Sequence, residues 1–236
     1  MGYNNSQLKG EVLMRELSLR LLIAFILCIG FGITFGYIAS AIGNESIASF
    51  DTAVIGFVQG LEAPWLTTIM KVFTWIGSGY VVVPIALIGF IVLYFVLHYR
   101  QQAFLLIVVI AGSVIFNTIL KHYFKRERPE IHRILDANGF SFPSGHSMMA
   151  FALYAIIAYI AWRNVKTMTS RVVLLLFTAF MIIIIGTSRI YLGVHYPSDI
   201  VGGFAVSALW VTIAITVYAY FQNKRKKKEK PFRVRS

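Results

Sequence analysis

Residues 140–162 read FSFPSGHSMMAFALYAIIAYIAW, a proline–serine–glycine–histidine turn that opens directly into a long apolar run. Crossing ~30 Å of hydrocarbon takes roughly 20 apolar residues in a helix, and the run after Gly145 has that length. Two readings of His146 follow: a boundary residue satisfied by backbone, or a group placed at a membrane face to move a proton. The rest of the chain decides between them.

The same pattern of apolar runs recurs along the chain. Of 236 residues, 58% are hydrophobic and only 14% charged, and the mean hydropathy is +0.72. That composition excludes an ordinary water-soluble domain. Six runs of spanning length occur at about 20–42, 80–98, 103–120, 145–163, 171–188 and 199–221. In lipid each must satisfy its own backbone, so each is expected to be a helix. The first follows Lys9, Arg15 and Arg20 with no small-x-small cleavage site after it and is read as a retained helix. Residues 51–80, DTAVIGFVQGLEAPWLTTIMKVFTWIGSGY, are apolar but carry Asp51, Glu62, Pro64 and Lys71. Short interfacial or re-entrant helices suit this stretch better than a seventh span. The expected fold is all-α: one polytopic membrane domain over 1–236, six transmembrane helices in one bundle, with short extra helices between the first and second.

Cys28, the single cysteine, lies within the first run, so neither an internal disulfide nor a cysteine metal cluster can form. The net charge of +12 is concentrated in residues 222–236, QNKRKKKEKPFRVRS, with eight Lys/Arg against one Glu. A polybasic segment directly after a spanning run is read as cytoplasmic retention with attraction to anionic lipid, not as a nucleic-acid site. Residues 1–19 and 222–236 are then cytoplasmic, and Arg100, Arg163, Lys166 and Arg171 fall in inside loops. Loop 121–144 falls outside yet contains Lys121, Lys125, Arg126, Arg128 and Arg133. Positive charge on the wrong side asks for another cause.

Ionisable side chains gathered at a membrane boundary are costly unless they pair or bind something. Three segments meet on the outer face under this topology: KHYFKRERP (121–129), PSGH (143–146) and SRIYLGVHYPSD (188–199). Lys121 supplies a point charge, and Arg128 and Arg189 supply paired donors that match phosphate oxygens. Ser144 and Gly145 let an anion approach the backbone at a starting helix. Pro197 suits a first helical position, which puts Asp199 in the first turn, within reach of one ring nitrogen of His195. A carboxylate there fixes the tautomer and aims the other nitrogen at phosphorus, while His146 is set to protonate a departing oxygen.

These segments, as Lys-x6-Arg-Pro, PSGH and Ser-Arg-x5-His-x3-Asp, resemble the three signature motifs of the type 2 phosphatidic acid phosphatase superfamily, in that family's order and at its helix boundaries. The layout is most similar to its bacterial phosphatidylglycerophosphatase B and undecaprenyl pyrophosphate phosphatase members. The resemblance implies a metal-independent lipid phosphatase of a bacterial cell membrane, with no cofactor and no obligatory protein partner. Its substrates would be lipid phosphate monoesters or diphosphates of the phosphatidylglycerol phosphate, phosphatidic acid and undecaprenyl pyrophosphate class. It further implies His195 as nucleophile through a phosphohistidine, Asp199 orienting it, and His146 as acid and then base. Lys121, Arg128, Ser144, Gly145 and Arg189 would hold the phosphate. Tyr191 and Tyr196 are expected at the pocket mouth, Ser188 as a support, His98 as an interfacial residue, and His122 and His132 as structural. Lys125, Arg126 and Arg133 stay open between a solvated loop and a lipid head-group contact. A head-group transferase and a non-enzymatic lipid-phosphate flippase are the alternative functions.

Overall fold

A computed structural model describes residues 5–130 and 132–228 of the chain. All its regular elements are helical: α1 (Asn5–Gly43), α2 (Ala48–Gln59), α3 (Pro64–Ile76), α4 (Gly79–Ile91), α5 (Arg100–Phe124), α6 (Gly145–Trp162), α7 (Met168–Tyr191) and α8 (Pro197–Lys228). Six segments, in α1, in α4 together with the helical turn that continues it to Val96, and in α5 to α8, are long and apolar enough to cross a membrane, and they match the six apolar runs. The helices overrun those runs at several ends. α1 begins at Asn5 and α8 continues to Lys228, because leaving hydrocarbon does not break the backbone ladder. The expected basic tail is therefore helical where it begins, and its residues 229–236 lie outside those described.

Between the first and second spans, α2 and α3 are bent by 120° across Gly60–Ala63 and form a short helical pair, as the interrupting charges and Pro64 suggest. Pro64 is tolerated because it opens α3, where its missing N–H has no partner to lose. At the other end of the second span, α4 passes into a π-helical turn (Val92–Val96) in which Leu97 N–H donates to Val92 O at 2.9 Å. His98 then ends the helix at a φ of 56°.

α6 is the hub of the bundle, packing against α4, α5, α7 and α8, while α1 lies along the outer side of α8. The core of the hub is apolar and tight: Val82, Leu106, Val109, Leu153, Ile156 and Val211. Close approach depends on small residues, as expected where lipid removes the hydrophobic drive between helices. At Gly112 a Cβ would come within 2.3 Å of the Trp210 ring, whose Nε1–H donates to Val109 O at 3.0 Å. Phe25, Ile33, Phe57, Phe95 and Leu176 are exposed on the outside of the bundle, where acyl chains meet it.

One end of the bundle gathers the C-termini of α5 and α7 and the N-termini of α6 and α8, with the α2–α3 pair against it. Gly193 makes this closure possible. It holds a φ of +72°, and a Cβ there would lie 2.3 Å from His132 O, so the α7–α8 turn can lie directly beneath loop 125–144. Ile134 N–H seals the contact by donating to Leu192 O at 3.1 Å.

Candidate active site

His195 precedes α8 by two residues, and Asp199 lies in the first turn of that helix. The turn locks the carboxylate: Tyr196 N–H donates to Asp199 Oδ2 at 2.9 Å. His195 Nδ1 stands 3.2 Å from the same oxygen, and Arg128 Nη1 stands 3.2 Å from His195 Nε2. An ionised carboxylate only accepts and a guanidinium only donates. The neutral ring therefore carries its proton on Nδ1 and keeps a lone pair on Nε2.

Burial, followed by the Arg189, Arg128 and Lys121 charges, pushes the His195 pKa well below the usual imidazole range. Below its pKa an imidazole gains a proton and loses the lone pair. With the pKa lowered, that loss moves to lower pH. The acid limb of kcat/KM, which reports the free enzyme, is thus expected below the unperturbed value of about 6.5; a pH–rate profile checks it, and half-maximal kcat/KM at pH 6.5 or above contradicts it.

Beside Nε2 lies a cavity of about 550 Å³ lined by Lys71, Lys121, Arg128, Arg189, Gly145 and His146, among others. Four cations thus face it against one lining carboxylate, that of Asp136. Arg189 is 4% exposed. Its Nη1 donates to Thr74 Oγ1 at 2.6 Å, and its buried Nε has no hydrogen-bond partner. Arg128 is fully engaged. Besides His195 it donates to the carbonyls of Val194 (2.7 Å), Gly139 (2.9 Å), Asn138 (3.1 Å) and Phe140 (3.4 Å).

The PSGH turn is held from behind. Phe142 is fully buried against Phe35 and Phe124, and Asn117 Nδ2–H donates to Pro143 O at 2.9 Å. Gly145 leaves room for Asn117, since a Cβ there would lie 2.9 Å from its Oδ1. Ser144 differs from the sequence expectation. Its N–H donates to Asp199 O at 3.1 Å and its Oγ caps α6 by accepting from Ser147 N–H, so Ser144 ties the two motif helices together and has no N–H left for an anion. The first-turn donors without intrahelical partners beside the cavity are those of Gly145 and His146. His146 lines the cavity.

Two further expectations change. Tyr191 and Tyr196 do not line the cavity mouth. Tyr191 is 1% exposed and its hydroxyl meets Thr67 Oγ1 (2.9 Å) and Ala63 N–H (3.1 Å), anchoring the start of α3. Tyr196 lies beneath Arg126, whose guanidinium carbon is 4.0 Å from the ring centroid. Arg126 itself is neither solvated nor turned to the surface, because it bridges Asp51 and Asp199 at 2.8 and 2.7 Å. Ser188 Oγ donates to Ile185 O of its own helix at 2.7 Å. His122 Nδ1 meets Thr118 O one turn back in its own helix, and His132 Nε2 meets Glu62, 70 positions away in the chain.

Sequence reasoning missed Asp51, Thr74, Lys71 and the bridging role of Arg126. The signal for Asp51 was available: a lone carboxylate in an apolar helix needs a partner. Lys71 carried the same signal as a lone charge in an apolar stretch, whereas Thr74 gave none, since only tertiary packing of α3 on α7 brings it to the cavity.

The chain belongs to the PAP2 superfamily, whose family model matches residues 102–224. It is 31% identical over 175 residues to phosphatidylglycerophosphatase B of Bacillus subtilis, covering 73% of this chain and 85% of the relative. It is 29% identical over 109 residues to a putative undecaprenyl-diphosphatase of Escherichia coli, with 44% of this chain and 50% of the relative covered. The crystal structure of a transmembrane PAP2-type phosphatidylglycerolphosphate phosphatase from Bacillus subtilis superposes with a TM-score of 0.71 at 27% identity, covering 87% of this chain and 98% of the other. The protein is an integral membrane phosphoric monoester hydrolase of the PAP2 lipid phosphatase family.

Proposed function

We propose that the protein removes the terminal phosphate from lipid phosphate monoesters or diphosphates, of the phosphatidylglycerol phosphate, phosphatidic acid and undecaprenyl pyrophosphate class, through a phosphohistidine on His195. The observation that carries this is the placement of His195 Nε2, polarised by Asp199 from behind, at the wall of a cavity that also presents His146, Lys121 and Arg189. Lys121, Arg128 and Arg189 hold the phosphate oxygens, joined by the N–H groups at the start of α6. Arg128 grips by exchange. Its bond to Nε2 passes to a phosphate oxygen, which at once positions the phosphorus and uncovers the lone pair.

Nε2 then attacks phosphorus, the P–O bond to the lipid breaks, and His146 gives its proton to the departing oxygen. In the second half-reaction water attacks the phosphohistidine, His146 takes the water proton, and phosphate leaves with Nε2 restored. Asp199 stays ionised throughout and offsets the positive charge that forms on the ring. Fixed cations and helix donors do here what a metal does elsewhere, stabilising charge as it develops. The reading is therefore metal-independent. Among the described residues no group of three His, Cys, Asp or Glu stands close enough to hold a metal ion.

Phosphate release from a panel of purified lipid monophosphates and diphosphates, with chelator present, tests the function. Release unaffected by chelator and inhibited competitively by vanadate is expected. Activity lost in chelator and restored by a divalent ion contradicts the mechanism, and transfer to an added lipid acceptor without free phosphate marks a head-group transferase. A flippase would need the cations but not His195.

We place the site at the outer face of a bacterial cell membrane with both termini cytoplasmic, supported by the basic inner loops and tail. A cysteine at Arg133 is expected to react with an impermeant thiol reagent in intact cells and one at Lys166 not to react; the opposite labelling reverses the orientation.

A further inference from the structure

We propose that Arg126 and Asp51 form a positioning unit for the phosphoryl transfer, holding Asp199, and through it His195, at the angle and charge the reaction needs. This inference rests on the reading of His195 as nucleophile. Asp51 comes from α2, outside the residues matched by the family model.

The geometry is closed on every side. Asp199 Oδ2 is taken by His195 and Tyr196 N–H, and Oδ1 is taken by Arg126 Nη1 at 2.7 Å. Arg126 Nη2 donates to Asp51 Oδ2 at 2.8 Å. Asp51 is itself fixed by the start of α8, accepting from Ser198 N–H at 2.9 Å and from Ser198 Oγ at 2.7 Å. The Tyr196 ring supports the guanidinium from one face. The Arg126 carbonyl accepts from Ser141 N–H at 2.8 Å, tying the same residue to the loop before PSGH. Asp51 is 2% exposed and Asp199 fully buried.

Neither Arg126 nor Asp51 lines the cavity at His195, so a phosphate there has no direct use for them. Their effect runs through Asp199. One planar group with Nη1 on Asp199 and Nη2 on Asp51 fixes the two carboxylates relative to each other in a way a single-point cation does not. Sharing matters as well. Paired with Asp199 alone, Arg126 would neutralise the charge that must offset a cationic phosphohistidine. With Asp51 taking the other arm, one cation serves two carboxylates and the unit keeps a net negative charge.

The test compares Asp51→Asn, Ser198→Ala, Arg126→Lys and Arg126→Ala with the unaltered chain, using phosphatidic acid in detergent micelles and an aryl phosphate. Asp51→Asn keeps the shape of the side chain and removes its charge. Losing the groups that orient a metal-ligating histidine from behind typically costs ~10- to 100-fold, and a loss of that order is expected for a reacting histidine held in the same way. Asp51→Asn and Arg126→Ala are therefore expected to lower kcat and the rate of phosphoenzyme formation by about that factor, with KM and vanadate inhibition within about twofold, and Arg126→Lys to recover part of the loss. Elution volume and melting temperature establish folding; if Arg126→Ala does not fold, Asp51→Asn and Ser198→Ala decide, with a smaller loss of the same kind expected for Ser198→Ala. Unchanged kcat in folded Asp51→Asn, or a loss confined to KM, overturns the inference while the nucleophile stands. Absence of phosphohistidine in the unaltered chain overturns both.

Discussion

His195→Ala is expected to release no phosphate from lipid or aryl phosphates and to take up no label from substrate. The whole of the expected chemistry passes through Nε2, and alanine leaves water as the only attacking group in a cavity shaped for an imidazole. Loss of the nucleophile from a Ser-His-Asp triad costs about 10⁶-fold in kcat, and a loss of that order is expected here. Binding should survive, because Lys121 and Arg189 line the cavity independently of His195. Removing the imidazole also frees Arg128 from its bond to Nε2. Vanadate or phosphate affinity within a few-fold of the unaltered protein, measured beside zero turnover, separates loss of chemistry from loss of fold.

His146→Ala fails differently, and the substrate reveals how. A lipid alkoxide leaves poorly without a proton, so turnover of lipid substrate falls by about 100- to 10,000-fold, the usual worth of a general acid. An aryl phosphate has a leaving group that needs little protonation, so its first half-reaction proceeds. The second half-reaction still lacks a base to take the water proton. Stopped-flow mixing should therefore show a burst of about one equivalent of phenolate followed by slow turnover, the mark of a covalent intermediate that accumulates. Near-normal lipid turnover by this variant contradicts the assignment of His146.

The convergence of these residues on one cavity was legible because motif spacing and helix boundaries coincide. Lys121, Arg128, His146, Arg189 and His195 each stand at or near the end of an apolar run, and crossing the bilayer six times leaves those ends on one side. Proline at the start of α8 fixed the His195–Asp199 spacing locally, so that pair needed no tertiary information. Ser144 was misread because its role is decided by a neighbour 55 positions away, Asp199, whose carbonyl takes its N–H. Arg126 was illegible for the same reason. In the sequence it is one basic residue among several, and only the packing of α2 against α8 brings Asp51 beneath it. The lengths of α1 and α8 were underestimated because hydropathy marks where lipid begins and not where helix does. The bend between α2 and α3 was foreseen from Asp51, Glu62, Pro64 and Lys71, charges and a proline too closely spaced for a continuous span.

The central claim, that phosphate passes through His195, is tested most directly by mixing the unaltered protein with ³²P-labelled lipid phosphate, quenching in alkali within one turnover and mapping the label. Label that survives alkali, is released by acid and resides on the peptide containing His195 is the predicted result. Label on another residue, or none while product forms in a single turnover, contradicts it.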